Sequence, residues 1–292
     1  MKKILLILVI LIAALALTAC GGETTPATTP GGTAPDTAAN GDADVDADNG
    51  GDADAPAGTI TSIEDLQTAI IGVQRDTTGH IFADENLPDA EVDAFPQGGD
   101  AVWALLAGTV DAVIIDSLPA ARFVFANQGR LKILDAELTQ EYYGIAFPLG
   151  STYTALFDDA INELRANGTM DAIYDYWVNE NPAASRYVSP EGTEHPNGLL
   201  LMGTSAGFEP FEFWEGDQIV GFDVCLANAI GDVLGYEIEI VDMDFGSIIL
   251  AVQTGVVDFG MAGMTIRDDR REHVDFTQGY FNASQVAIVR VP

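Results

Sequence analysis

The pattern of apolar and polar positions from Thr61 onward predicts strands and helices that follow one another along the chain. The apolar run from Val110 to Asp116 predicts a buried strand. Ser117 follows it, with Pro119 placed where the first turn of a helix has no use for an N–H group. Apolar residues between Phe222 and Val233 recur at helical spacing. This alternation is typical of an α/β fold.

Two stretches of the chain repeat the same design. The segments "AVWALLAGTVDAVIID" (Ala101 to Asp116) and "IILAVQTGVVDFGMAG" (Ile248 to Gly263) each predict a helix, a glycine stop, a Val-Asp step and a strand. Each half also contains a strand that runs into a threonine-containing loop, at Gly72 to Gly79 and at Met202 to Gly207. Open α/β sheets bind ligands at the carboxyl ends of their strands. Two such sheets that face each other predict a two-lobed binding protein with one cleft.

The N-terminal residues predict export from the cytoplasm. Lys2 and Lys3 precede an apolar run from Ile4 to Leu17, and small residues lead up to Cys20. We expect residues 1–20 to be a lipoprotein signal, with the Cys20 thiol carrying a diacylglyceryl group at the mature N-terminus. A transmembrane anchor with an incidental cysteine is the alternative. Either reading places the protein outside the cytoplasm and attaches it to a membrane.

Composition and charge separate a tether from the folded part. Residues 21–58 are mostly Gly, Thr, Pro, Ala and Asp, so we expect a disordered acidic tether there. The tether holds eight acidic residues, which leaves most of the net charge of −33 on the folded part. That charge argues against a nucleic-acid partner, which would need a basic face. With Cys20 lipidated, Cys225 has no disulfide partner.

The histidines give no indication of a metal site. The three histidines, His80, His195 and His273, lack the spacing of metal ligands and are interpreted as surface or turn residues. We therefore expect neither a metal site nor a cofactor.

Five motifs, in a fixed order within each half, carry more specific information. They are "GVQRDTTG", "DAVIID", "GTSAGFEPFEF", "IVGFDVCLANAIG" and "DFGMAGMTIRDDRREHVDFT". Together they resemble the family 3 solute-binding proteins of ABC importers for polar amino acids, over nearly all of residues 60–291. The resemblance implies a two-lobed periplasmic-binding-protein-like fold (type II). In the family's usual order the "GTSAGFEPFEF" half comes first, so the chain resembles a circularly permuted member.

The permuted order implies particular domain boundaries. One lobe is expected at residues 60–143 and the other at 144–292, with residues 179–198 as the joint between the old termini. Only Tyr142 to Pro148 would cross covalently between the lobes, because the other crossing would have become the two free ends. We also expect the strand from Gln285 to Val291 to end near the start of the first lobe.

The resemblance also implies how the cleft holds a zwitterion. Arg270 would pair with the α-carboxylate, because its planar fork fits two oxygens. Thr265 and the Gly263 backbone would add donors, and Asp116 would pair with the α-ammonium. Thr78 would add a hydrogen bond from the other lobe. Without the motifs, Arg270 and Asp116 could equally belong to structural ion pairs.

Other positions bear on the ligand side chain. By the same resemblance Phe208 and Phe245 would sandwich it, although each alone would fit a core position. Ser205 stands where family members that bind basic amino acids or glutamine often carry Asp, which makes a strongly basic ligand unexpected. Gln74 and Glu209 are further candidates for side-chain contact. We therefore expect a neutral polar ligand, or one with a long polar side chain.

The function implied is a lipid-anchored extracytoplasmic receptor, monomeric and without catalytic activity. It would deliver a polar L-amino acid to the permease and ATPase subunits of an ABC importer. Two alternatives share this fold, a ligand sensor and an extracytoplasmic dehydratase acting on cyclic acids. The dehydratase needs a poised general acid in a dry cleft, and the sequence shows no acid–base pair there.

Overall fold

The structure is a computed structural model that describes residues 60–292. The predicted signal, the lipidation of Cys20 and the acidic tether lie outside the described residues. Within them, two five-stranded sheets flanked by helices form two lobes, which confirms the predicted α/β fold. No helix of residues 60–292 combines the length and apolar character needed to cross a membrane.

The helices and strands follow each other along the whole described chain. In order they are β1 (Ile70–Gln74), α1 (Thr78–Asn86), β2 (Glu91–Phe95), α2 (Gly98–Ala107), β3 (Ala112–Asp116), α3 (Ser117–Ala126), β4 (Leu131–Ile133), β5 (Glu141–Tyr143), β6 (Ala146–Phe147), α4 (Tyr153–Ala166), α5 (Thr169–Trp177), β7 (Gly198–Thr204), β8 (Phe213–Glu215), β9 (Gln218–Val220), α6 (Phe222–Leu234), β10 (Tyr236–Asp242), α7 (Ile248–Thr254), β11 (Phe259–Gly260), α8 (Asp268–Arg271), β12 (Asp275–Phe276), β13 (Phe281–Ala283) and β14 (Gln285–Arg290). Short 3-10 helices cover Glu64–Thr68 and Phe245–Ser247.

The first lobe is built on a sheet with the strand order β2-β1-β3-β14-β4. β1 pairs in parallel with β2 and β3, whereas β14 runs antiparallel between β3 and β4. Every residue of β3 is buried, as expected for a strand covered by helices on both faces. Helix α2 ends at Gly108, whose φ of +83° suits glycine and stops the helix where the sequence predicted.

The second lobe is built on a sheet with the order β10-β7-β11-β6-β12. Its strand β7 pairs in parallel with β10 and β11, and β6 runs antiparallel between β11 and β12. Helices α4, α5 and α6 pack on this lobe in one apolar cluster that includes Phe157, Trp177 and Leu226. Helix α7 closes a smaller cluster around Ile248 and Val252. The helices predicted from Ser151 to Trp177 therefore belong to the second lobe.

The C-terminal strand corrects the expected domain boundary at residues 144–292. β14 lies in the first lobe's sheet, where Ile288 is opposite Val113, instead of in the second lobe. Five of its six residues are buried, and the place between β3 and β4 provides both the backbone partners and the cover that such a strand needs.

This placement also adds a second covalent crossing between the lobes. β13 pairs antiparallel with β5, and Phe281 lies opposite Tyr143. Two neighbouring strands therefore form the hinge, and the expectation of a single crossing was wrong.

The expected joint, residues 179–198, contains no helix and reaches the sheet only at Gly198. Its side chains are anchored on α6. The Tyr187 hydroxyl donates to Asp232 Oδ2 at 2.8 Å, and His195 Nε2 lies 2.9 Å from Asp232 Oδ1. His195, interpreted from the sequence as an ordinary turn residue, thus helps to fix the joint in place.

Contacts at the rim hold the lobes together. Arg122, on α3 of the first lobe, donates from Nη2 to the carbonyl oxygen of Trp177 at 2.8 Å and forms an ion pair with Glu180. Its Nε also lies 3.8 Å from Glu209. All three partners belong to the second lobe or the joint, so the structure shows the lobes closed on each other.

Both ends of the described chain lie in the first lobe. Ile60 packs against the same apolar cluster as Ala287 and Val289, and the Val291 N–H donates to the carbonyl of Arg130 at 2.8 Å. We therefore expect a rearranged chain to fold, one that begins at Pro190, continues to the C-terminus, passes through a Gly/Ser linker of about eight residues to Ile60 and ends at Ser189. The new ends would fall in the irregular joint, where termini are tolerated.

Circular dichroism and thermal unfolding test this rearrangement. The expected result is the helix content of the original chain and an unfolding midpoint within about 5 °C of it, a shift on the order of 1 kcal/mol. A matched control carries the same linker but is cut inside α6, between Ala227 and Asn228, and should not fold. If both rearranged chains are unfolded, the expectation that the chain also folds with its two halves in the opposite order is wrong.

Candidate functional site

A narrow cavity lies between the two lobes. It is lined by residues of both: Gln74, Thr77, Thr78, Asp116, Ser205, Phe208, Glu212, Phe245, Ala262, Gly263, Thr265 and Arg270. All eight residues that the sequence analysis assigned to ligand binding are among them.

The sheets bring these residues together at the carboxyl ends of their strands. Asp116 is the last residue of β3, and Thr78 opens α1 just after β1. From the other lobe, Ser205 follows β7 and Ala262 to Thr265 follow β11. This is the arrangement of four loops around one cleft that the repeated design predicted.

Arg270 is a buried cation in this cavity, with only 6% of its surface exposed. Its Nη1 donates to the carbonyl oxygen of Thr265 at 2.9 Å, and its Nη2 donates to that of Asp76 at 3.1 Å. Burial is the main cause that lowers its pKa to about 10, so it remains charged at neutral pH. Among the residues that the structure describes, no carboxylate forms an ion pair with it. Three of its five N–H groups are left for an anionic partner.

Asp116 is the corresponding buried acid, with 7% of its surface exposed. The Tyr143 hydroxyl donates to its Oδ1 at 2.5 Å. Burial and then the charge of Glu141 raise the pKa of Asp116 to about 7. No Lys, Arg or His within residues 60–292 forms an ion pair with this carboxyl. The reading of Arg270 and Asp116 as members of structural ion pairs therefore finds no support in the described part of the chain.

The two aromatic residues each present part of a ring to the cavity. The Phe208 ring stacks on Phe211 with centroids 5.5 Å apart, and it packs against apolar clusters of both lobes. The Phe245 ring lies beneath the Arg270 guanidinium, with Cζ 5.3 Å from the ring centroid. Phe245 therefore helps to position the cation as well as to line the wall.

The backbone conformation and the close approach of Phe208 favour glycine at position 263. Its φ is +52°, and a Cβ atom there would come within 2.6 Å of Cε1 of Phe208. The expected role of its N–H group needs correction, because this N–H already donates to Asp223 Oδ2 at 2.9 Å. The donor is thus used inside the protein, and Gly263 serves the cavity by leaving room for the aromatic ring.

Glu212 is a cavity residue that the sequence analysis missed. It is fully buried, and its carboxyl group lies within hydrogen-bond reach of the Asp223 carboxyl, with which it can share a proton. Burial, followed by the charge of Asp223, raises its pKa well above the usual value. The available signal was an acid between two phenylalanines in "PFEF", a position that an ordinary surface glutamate would not occupy.

Beneath Glu212 lies a second buried acid. Asp223 accepts hydrogen bonds from the Gly263 N–H and, at 2.7 Å, from the Tyr280 hydroxyl. Burial raises its pKa to about 6 despite these bonds. Two buried acids therefore lie side by side, of which Glu212 lines the cavity and Asp223 does not.

Of the remaining candidates for contact with the ligand side chain, some line the cavity and one lies outside it. Gln74 lines the cavity, and the buried Ser205 hydroxyl has no hydrogen-bond partner in the described chain. Glu209 is exposed and faces Arg122 at the rim instead. Its proposed contact with the ligand side chain is therefore not supported. Residues 60–292 contain no group of three or more His, Cys, Asp or Glu that could hold a metal ion.

Known proteins resemble this chain most clearly in its C-terminal third. Residues 200–291 match the model of the bacterial extracellular solute-binding proteins, family 3. The arginine-binding extracellular protein ArtP of Bacillus subtilis (strain 168) is 47% identical over 100 residues, which cover 34% of this chain and 39% of that relative. The chain thus spans well under half of the length of this curated relative.

Two solved structures show the same local similarity. The arginine-bound form of domain 1 from TmArgBP is 40% identical, over 32% of this chain and 81% of that one, with a TM-score of 0.28. An ancestral cyclohexadienyl dehydratase is 28% identical, over 26% of this chain and 32% of that one, with a TM-score of 0.25. The family match over residues 200–291 shows that this part of the chain belongs to the bacterial extracellular solute-binding proteins, family 3.

Proposed function

We propose that this protein is an extracytoplasmic receptor that binds a polar L-amino acid between its lobes. The observation that carries the proposal is the pair of buried, unpaired charges in one cavity. Arg270 lacks a carboxylate and Asp116 lacks a cation within the described residues, while both line the same space. A zwitterion supplies both missing partners at once.

The energetics favour a ligand with both charges. A buried charge without a partner costs several kcal/mol, and the raised pKa of Asp116, about 7, reflects this cost in the empty cavity. An α-carboxylate at Arg270 and an α-ammonium at Asp116 remove both costs. A ligand with only one of the two groups would leave the other protein charge uncompensated.

The relatives and Glu212 together bear on the ligand side chain. Two of the similar proteins are named or titled for arginine, and Glu212 offers a buried carboxyl in the same cavity. Ser205 brings a hydroxyl and no charge, which had made a strongly basic ligand unexpected. Because Glu212 can supply the charge that Ser205 lacks, we propose a long side chain with a cationic or hydrogen-bonding end, with L-arginine as the first candidate.

The cellular setting is part of the same proposal. The lipid on Cys20 and the tether of residues 21–58 would hold a monomeric receptor at the outer face of the membrane. From there it would deliver its amino acid to the permease and ATPase subunits of an ABC importer. The lobe order is proposed to be a circular permutation of the family's usual order.

One observation supports a second candidate, a dehydratase-like enzyme. Burial raises the pKa of Glu212, which favours its protonated form in the empty cavity, and a protonated buried carboxyl is suited to act as a general acid. Mass spectrometry of the bound small molecule after incubation separates the two functions. A receptor returns its amino acid unchanged, whereas a dehydratase releases water from a cyclic acid.

Removing either unpaired charge should abolish amino-acid binding. We expect Arg270→Ala and Asp116→Ala each to cost roughly 3–5 kcal/mol, or about two to three decades of affinity or more, because one ligand charge is then buried alone. Isothermal titration calorimetry against L-arginine and the other common amino acids measures this. Arg267→Ala is the matched control, since Arg267 is in the same segment but pairs with Asp269 at the surface. Variants that bind within threefold of the parent would contradict the assignment.

Affinity should fall as the pH is lowered below 7. Asp116 has a pKa of about 7 in the empty site, so at lower pH it must lose a proton before it can pair with an ammonium. Glu212 acts in the same direction for a cationic side chain. The expected loss is about tenfold per pH unit for each proton released.

Calorimetry between pH 5 and pH 8, in pairs of buffers with different ionisation enthalpies, measures both the affinity and the proton release. Thermal unfolding without ligand at each pH controls for loss of the fold. Constant affinity over this range, with no proton released, would show that Asp116 does not pair with the ligand.

The role of Glu212 can be tested by substituting the acid with its amide. Glu212→Gln keeps the volume and removes the charge, so the ratio of affinities for L-arginine and L-glutamine should fall at least about tenfold. Because burial already favours the neutral form of Glu212, the empty variant should keep about the same stability as the parent. An unchanged ratio would place the side-chain end of the ligand elsewhere.

A further inference from the structure

A buried carboxyl group at the hinge accepts hydrogen bonds from both lobes of the binding site. Glu141 is the first residue of β5 and is only 8% exposed. Its Oε2 accepts hydrogen bonds from the Thr78 hydroxyl at 2.9 Å and from the Thr265 hydroxyl at 2.6 Å. Its Oε1 accepts a third hydrogen bond from the Thr139 hydroxyl at 2.7 Å.

The two threonines come from opposite sides of the cleft. Thr78 opens α1 in the first lobe, and Thr265 follows β11 in the second. Both line the cavity, whereas Glu141 lies behind them and does not. One carboxyl group outside the ligand space is therefore in contact with a wall residue of each lobe.

These bonds fix what the Thr265 hydroxyl can offer to a ligand. A carboxylate can only accept hydrogen bonds, and a hydroxyl has a single proton to donate. The Thr265 proton is directed to Glu141, so only oxygen lone pairs remain for the cavity, which corrects the expectation that the Thr265 hydroxyl donates to the α-carboxylate. Such an oxygen accepts a bond from an ammonium group and repels a carboxylate oxygen.

Thr78 differs from Thr265 in this respect. It also accepts a hydrogen bond from Gln285 Nε2 at 3.0 Å. Gln285 is the first residue of β14, at the second crossing between the lobes. The Gln285 amide thus uses an acceptor position of the Thr78 hydroxyl. The Thr265 hydroxyl accepts no such bond, so it is the better acceptor for a ligand.

We propose that Glu141 is a positioning residue, which orients the Thr265 hydroxyl as an acceptor for the ligand's α-ammonium while joining the two lobes at the hinge. The proposal rests on the proposed function, because it needs an amino acid in the cavity. It assigns Glu141 to selection for the ammonium group, in addition to Asp116.

The test compares two ligands that differ only in the α-amino group. L-arginine has it, and 5-guanidinopentanoic acid lacks it. Calorimetry measures both ligands on the parent and on Glu141→Gln, in which an amide N–H can donate to one threonine and reverse its hydroxyl. We expect the affinity for L-arginine to fall about tenfold or more, and that for 5-guanidinopentanoic acid to stay within about threefold.

A double-mutant cycle separates positioning from general support of the fold. In the Thr265→Val background the hydroxyl is absent, so Glu141→Gln should no longer change the ratio of the two affinities. A purely structural role would lower both affinities together and persist in that background. Thr265→Val alone should change the ratio in the same direction, and this keeps the test decisive if Glu141→Gln does not fold.

The outcomes distinguish the role of Glu141 from the receptor function on which it rests. If the parent binds no amino acid, the proposed function and the role of Glu141 both fail. If the parent binds L-arginine and Glu141→Gln or Thr265→Val keeps the parental ratio, the receptor function stands and the role of Glu141 is wrong.

Discussion

Two buried charges of opposite sign, without partners in the described protein, are the constraint on which the rest of this structure depends. Arg270 and Asp116 are on different lobes, so neither can compensate for the other unless something lies between them. The surrounding structure holds each one in place with neutral groups. Carbonyl oxygens of Thr265 and Asp76 receive the guanidinium, and the Tyr143 hydroxyl reaches the carboxyl. The protein is thus less stable empty than it would be with apolar groups at these positions.

Most of the cavity could be predicted from the sequence because its residues follow strands. Asp116 ends an otherwise apolar strand, and Thr265 and Arg270 follow another, which places them at the edge where ligands bind. Glu212 and Glu141 could not be placed in this way. An acid next to aromatic residues, or at the start of a three-residue strand, gives no periodic signal about which way it faces. Only the packing of two lobes decides that both are buried.

The hinge shows a second limit of the sequence pattern. A run of apolar residues such as Gln285 to Val291 predicts a buried strand but does not say in which of two similar sheets it lies. In the structure it enters the first lobe's sheet beside β3, and the segment before it pairs with β5. The lobes are consequently joined by two adjacent strands. Such a pair permits bending across the strands and resists twisting about them.

The rim contact of Arg122 has a consequence for the timing of release. Its partners include Glu180, the second residue of the joint, and the carbonyl of Trp177 just before it. The lobes cannot separate until this guanidinium leaves those oxygens, although none of them lines the ligand cavity. Substitutions in a surface segment far from the ligand would therefore change the dissociation rate constant. For the receptor proposed above, the residence time of the ligand could change through substitutions in the joint while the residues of the cavity stay the same.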